Sequence, residues 1–160
     1  MAVKRITCPL IAAAVIALDQ LTKYLVRSNM QSGDRIPVIG DWMSIYYVRN
    51  TGTAFSMFSG NRFVTVFMTS VLIILCIIFI VKELKDGENL IAVLFTFVAA
   101  GGISNMIDRL ALGYVTDMIS CGSFAVFNVA DIGVTCGCVL TMAALLILYK
   151  GGGDKEDKEA

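Results

Sequence analysis

The chain contains no histidine. That absence removes the commonest general base and the commonest metal ligand, so any catalysis rests on carboxylates, thiols, hydroxyls or lysines, and no metal or cofactor is expected. Charge is scarce as well. Asp, Glu, Lys and Arg make up 16% of the residues, against about a quarter in an ordinary soluble domain. The two signs balance at 13 each, which leaves no basic field for nucleic acid and no acidic excess to act as a solvating polymer. In their place stands apolar surface: 57% of the 160 residues are hydrophobic and the mean hydropathy is +0.76. A bilayer is the solvent that such a composition fits.

The five cysteines fall at 8, 76, 121, 136 and 138. Cys76, Cys136 and Cys138 lie in apolar runs and read as buried small hydrophobes. The Cys136-x-Cys138 spacing places those two thiols about 200° apart on a helix, on different sides. Cys121 falls in a loop, with nothing to mark it as reactive.

Four apolar stretches span about 6–26, 63–81, 90–107 and 132–149. The second carries no charge and measures roughly 28 Å as a helix, close to the hydrocarbon thickness. Helices rather than open strands follow, because lipid offers backbone groups no partner. Lys4 and Arg5 before Leu10–Leu18 imitate a signal peptide. The run ends in Asp19-Gln20-Leu21-Thr22-Lys23 instead of a small-residue cleavage site, so it is read as a retained span. With both termini cytoplasmic, Lys4, Arg5, Lys82, Lys85, Lys150, Lys155 and Lys158 are inside, and Lys23, Arg27, Arg35, Arg49, Arg62 and Arg109 outside. Charge alone therefore gives only a lean.

The expected fold is an all-α integral membrane protein: one four-helix domain over 1–150 and a disordered charged tail over 151–160. Residues 31–61 hold Pro37, Gly40 and the strand-forming run Ile45-Tyr46-Tyr47-Val48, which predicts a small extracytoplasmic β element. Trp42, Tyr46 and Tyr47 suit the headgroup zone.

An ionisable group at the centre of a membrane helix costs roughly 2.5–3.5 kcal/mol on insertion scales, so each such residue needs a reason. Five polar clusters gather toward one face. Asp19 and Lys23 are spaced to pair along a helix, which as a structural ion pair already accounts for them, with Lys23 snorkelling. Asn50-Thr51-Gly52-Thr53-Ala54-Phe55 permits a tight turn. Gly101, Asn105, Asp108 and Arg109 share one helical stripe and suggest the wall of a polar cavity. Val115-Thr116-Asp117 is a loop segment whose acid alone would mean only solvation. Asn128 and Asp131 fit the start of a helix equally well as cap residues or as site residues.

Together these pieces resemble the lipoprotein signal peptidases, or signal peptidase II. Asp-Gln-x-Thr-Lys, Asn-x-Gly-x-Ala-Phe, Gly-Gly-x-x-Asn-x-x-Asp-Arg, Val-x-Asp and Phe-Asn-x-Ala-Asp occur in that family's order and spacing, over roughly residues 6 to 149. Met118 and Thr53 depart from the usual Phe and Ala. The resemblance implies an aspartyl endopeptidase of the bacterial inner membrane, with its site toward the extracytoplasmic face. It would cut diacylglyceryl-modified prolipoproteins before the lipidated cysteine. It places the catalytic pair on Asp117 and Asp131. Substrate binding falls on Asn50, Gly101, Asn105, Arg109 and Asn128, with support from Asp19, Lys23, Gly52 and Asp108. It further implies a monomer among membrane lipids, needing no cofactor, whose site accepts the family's cyclic peptide antibiotics.

Two other readings compete. A proton- or ion-coupled transporter predicts acids at the bilayer midplane and interrupted helices. A non-enzymatic four-helix scaffold explains the spans and leaves the one-sided polar clusters without a cause.

Overall fold

The computed structural model describes residues 2–52, 61–86 and 89–159. The chain runs α1 (Ala2–Asn29), β1 (Arg35–Ile39), β2 (Met43–Asn50), α2 (Arg62–Asp86), α3 (Asn89–Leu112), β3 (Val115–Cys121) and α4 (Val129–Glu159). Thr53, Ala54 and Phe55 of the second motif lie outside the described residues, as do Gly87 and Glu88 of the turn before α3 and Ala160 of the tail.

All four helices carry a stretch long and apolar enough to cross a membrane: Thr7–Asn29, Arg62–Asp86, Leu90–Leu112 and Val129–Ile147. The chain is thus an integral membrane protein of four helices beside a small sheet. α3 is the central one. In its span 61% of the residues are buried, against 17%, 11% and 17% for the other three, and it packs on α1, α2 and α4. The outer helices turn their large side chains outward, as Phe63, Ile78 and Leu146 do. A helix that is apolar all round and buried on one side faces lipid with the other.

Glycine lets α4 lie close against α3. A methyl group on Gly101 would meet the Ala130 carbonyl oxygen and Val134 Cγ2, and one on Gly137 would meet Val98 Cγ2 at 2.7 Å and the Leu94 carbonyl oxygen at 2.8 Å. Small residues at a crossing serve membrane helices in this way, since lipid supplies no hydrophobic drive for association.

The sheet is antiparallel in the order β1-β2-β3. β1 contains Pro37 and is an edge strand, where a missing N–H is tolerated. The third strand was not expected: Val115–Cys121, read as loop from its sequence, pairs along β2, with Val48 opposite Asp117 and Asn50 opposite Val115. Gly113 makes this return possible. Its φ of 83° and its N–H bond to the Arg109 carbonyl (3.2 Å) end α3 with a left-handed residue.

Two further differences concern α4 and its thiols. The helix continues to Glu159 rather than giving way to a tail at Gly151. Gly151–Gly153 are poor helix formers, but they follow a helix already nucleated in the span, which needs no new nucleus to cross them and reach the Lys and Glu beyond. Cys8 and Cys76 are buried, but Cys136 and Cys138 are exposed on the protein surface. Both remain apolar side chains in a lipid-facing span, so the bilayer replaces the protein core as their solvent.

Candidate active site

Where the sheet meets the helix ends there is a cavity of about 650 Å³. Three elements set its polar wall. On β2 and β3, period-two alternation puts Val48, Asn50, Val115 and Asp117 on one face, and all four line the cavity. On α3, Asn105 and Arg109 reach it one turn apart. On α4, Asp131 in the first turn does so, and below it Ile132, Thr135 and Cys136 extend the cavity along the helix. The two acids of the wall come from distant parts of the chain. Asp117 is 2% exposed.

Asn128 joins them. Its side-chain amide donates to Asp117 Oδ1 at 2.7 Å, while its backbone N–H donates to Asp131 Oδ2 at 3.2 Å. Asp131 returns a backbone N–H to Asn128 Oδ1 at 2.9 Å. The last two bonds form a reciprocal cap on α4. The helix-cap reading of this pair is therefore correct, and the cap also holds both carboxylates within reach of one residue. The remaining oxygens are met as well: Asn50 Nδ2 donates to Asp117 Oδ2 at 2.9 Å, and Asn105 Nδ2 to Asp131 Oδ1 at 2.8 Å.

Burial, reinforced by the charge of Asp131, pushes the Asp117 carboxyl up to about 6, against the opposing donors Asn50 and Asn128. Arg109 sits beside the pair. It donates to the Gly52 carbonyl at 3.2 Å, tying the turn after β2 to α3, while Gly52 N–H donates to Asn50 Oδ1 at 2.9 Å.

Behind the wall lies a second layer with almost no contact with water. Asp19 and Lys23, both 0% exposed, pair at 2.7 Å. Lys23 does not snorkel; its ammonium stays inside, 3.5 Å from Asp108 Oδ2 and 2.8 Å from Asn105 Oδ1. Asp19 also accepts the Ser104 hydroxyl at 2.7 Å and the Ala130 N–H at 2.8 Å. The last bond caps the start of α4 from α1, satisfying one of the donors every helix leaves open. Asp108 turns away from the cavity and accepts the Thr116 N–H at 2.9 Å, which fixes β3 beside Asp117.

The helical stripe expected on α3 therefore divides. Asn105 and Arg109 face the cavity, Asp108 faces β3 and α1, and Gly101 faces α4 beneath Ala130. Asn128 is fully buried behind the wall and does not line the cavity itself. Three polar residues escaped the sequence reading. Gln20 Nε2 bridges Ser104 Oγ (3.0 Å) and Asp108 Oδ1 (3.2 Å). Arg27 lies 3.0 Å from Thr116 Oγ1 and 3.5 Å from Asp108 Oδ1. Gln20 and Ser104 sit inside the quoted motifs, and Arg27 continues the i, i+4 ladder from Asp19 and Lys23. Those signals were present.

The arrangement offers a pocket with two carboxyl groups, Asp117 buried and Asp131 half-buried, amide donors on each, one guanidinium, and an apolar exit along α4. Two carboxyl groups held near one another resist ionising together, so one proton between them is the chemistry such a pair makes available.

Known proteins resemble this chain along most of its length. The family model described as Signal peptidase (SPase) II matches residues 11–147. The chain is 39% identical over 147 residues to a lipoprotein signal peptidase of Shouchella clausii, covering 91% of this chain and 95% of that one. It is 35% identical over 157 residues to the lipoprotein signal peptidase of Staphylococcus aureus, covering 96% and 94%. A solved bacterial membrane enzyme superposes with a TM-score of 0.81 at 34% identity, over 88% of this chain and 87% of that chain.

Proposed function

The chain belongs to the signal peptidase II family and is a membrane peptidase, and from that premise we propose that it removes signal peptides from diacylglyceryl-modified prolipoproteins. The cut falls before the lipidated cysteine, and Asp117 and Asp131 activate the water. The observation that carries this reading is Asn128 holding both carboxylates at the wall of one cavity.

Asp117, with its carboxyl pushed up to about 6, is the member of the pair that keeps the shared proton. It donates to the scissile carbonyl oxygen while Asp131 takes a proton from water. The hydroxide oxygen bonds to the carbonyl carbon and gives a tetrahedral diol. That diol collapses as Asp131 gives its proton to the leaving nitrogen, Asp117 takes a proton back from a diol hydroxyl, and the C–N bond breaks. Arg109 and the asparagine amides orient the extended peptide. The exit along Ile132, Thr135 and Cys136 leaves the acyl chains in the hydrocarbon while the peptide bond sits at the water boundary. The same cavity accommodates cyclic peptide inhibitors of the family.

The enzyme works as a monomer in the cytoplasmic membrane with both termini inside, which places the sheet and the cavity on the outer face. A coupled transporter fits less well: the acids cluster at one end of the bundle and the α2 span is continuous. The test is cleavage of a purified diacylated prolipoprotein by the parent, Asp117→Asn and Asp131→Asn. Both variants lose activity while still inserting into the membrane; full activity in either one ends the proposal.

A further inference from the structure

Three asparagines supply most of the hydrogen bonds to the carboxylate pair, and each is locked in one orientation by a donor at its oxygen. An amide can present either its oxygen or its NH₂ to a neighbour, and only the neighbours decide which. At Asn50 the decision is made by Gly52 N–H, and at Asn128 by Asp131 N–H. Both are backbone donors, present whatever the side chains are.

Asn105 differs. Its Oδ1 accepts from Lys23 Nζ at 2.8 Å and from Asn128 Nδ2 at 3.1 Å, and its Nδ2 donates to Asp131 Oδ1 at 2.8 Å. An ammonium has donors and no acceptor, and its contact is the shorter of the two at Oδ1; Asn128 Nδ2, held by the α4 cap, turns the amide the same way. A fully buried lysine normally carries a cost that a paired charge offsets. Here Asp19 and Asp108 supply the pairing, and Arg27 balances the second acid. The two acids and two bases of this layer balance in charge.

We propose that Lys23 is a positioning residue: its ammonium fixes the Asn105 amide so that an N–H, not an oxygen, faces Asp131. The inference rests on the functional reading above and adds how the pair's charge is held. Donation from Asn105 favours the ionised form of the pair. Losing it makes the pair keep its protons to higher pH. The charged groups that bear on Asp131 are Asp117 on β3, Arg109 on α3, and Lys23 and Asp19 on α1. Lys23 acts on it both through one intervening amide and through its own charge.

The experiment measures kcat/KM against pH for the parent, Lys23→Met, Lys23→Arg, Asn105→Ala and the double variant Lys23→Met/Asn105→Ala. The acidic limb moves up by about 1–2 pH units in Lys23→Met, the size of one charge-assisted hydrogen bond, with kcat falling more than KM changes. Asn105→Ala gives a displacement in the same direction, Lys23→Arg returns the limb toward the parent, and the double variant shifts by clearly less than the two single shifts added. A double variant in which the two shifts simply add means that Lys23 acts through space alone and overturns the inference. If Lys23→Met fails to fold, Asn105→Ala decides, since a parent-like limb there overturns the inference equally. Infrared titration of the carboxyl signal that Asp131→Asn removes reads the same displacement without any turnover. Failure of the peptidase reading and failure of this inference are therefore separate results.

Discussion

Replacing Asp117 by asparagine should inactivate the protein and stabilise it, and the stabilisation should depend on pH. The side chain is 2% exposed, and burial together with the charge of Asp131 pushes its carboxyl from 3.8 up to about 6. The folded chain therefore holds this proton more tightly than the unfolded chain. Stability linked to the proton is fully present below pH 3.8 and is lost as pH rises through about 6. A displacement of about two units corresponds to about 3 kcal/mol. Asparagine matches the protonated acid in size and charge and is spared that loss, but its NH₂ faces a donor on Asn50 or Asn128 and forfeits one hydrogen bond, about 1 kcal/mol, at every pH. Near pH 4 the variant should therefore be slightly the less stable. At pH 8 it should be the more stable by about 2 kcal/mol, roughly 4–8 °C for a chain of this length on the scale of soluble proteins. The assay is thermal unfolding of both proteins in one detergent at a series of pH values, beside a cleavage assay. A gap of the same size at pH 4 and pH 8 would refute the reasoning, as would a variant less stable throughout.

The other expectations bear on the rest of the site. Activity should decline on the alkaline side as Asp117 loses its proton, with a limb at or above pH 6 in the kcat/KM profile; a flat profile to pH 9 contradicts the assigned roles. Asp19→Ala removes the cap from Ala130 and leaves Lys23 short of a partner. It should cost about 3–5 kcal/mol, the scale for breaking a buried pair, and unfolding in detergent measures it. Gly137→Ala inserts a methyl group into Val98 and the Leu94 carbonyl, which should destabilise by about 1–3 kcal/mol, whereas Gly33→Ala meets no neighbour and is strained only through its positive φ of 101°. Parent-like unfolding of the Gly137→Ala chain would show that α3 and α4 are not held as closely as described.

Much of this was readable from the residues. Hydropathy located all four helices, because a bilayer admits few alternatives for an apolar run of that length. The strand-forming residues Ile45–Val48 announced β2. Where the reading failed, the missing information was non-local. Val115–Cys121 is a strand because β2 offers it a partner, and nothing within seven residues states that. Gly101 and Asp108 share a stripe with Asn105, yet close neighbours on three sides turn them to different duties. Lys23 was expected to reach for water and instead stays buried, since Asp19, Asp108 and Asn105 together replace the water it gives up.

By itself the sequence determined the solvent, the number of spans and the kinds of group available: carboxylates, amides and guanidinium, with no imidazole among them. Tertiary structure alone decided that Asp117, delivered by a strand, and Asp131, delivered by a helix cap, are held by the same asparagine. Hydropathy and periodicity act over a few turns of chain and are legible one residue at a time. The meeting of those two acids depends on helices closing over glycine and on a strand returning past Gly113, distances that no local pattern records.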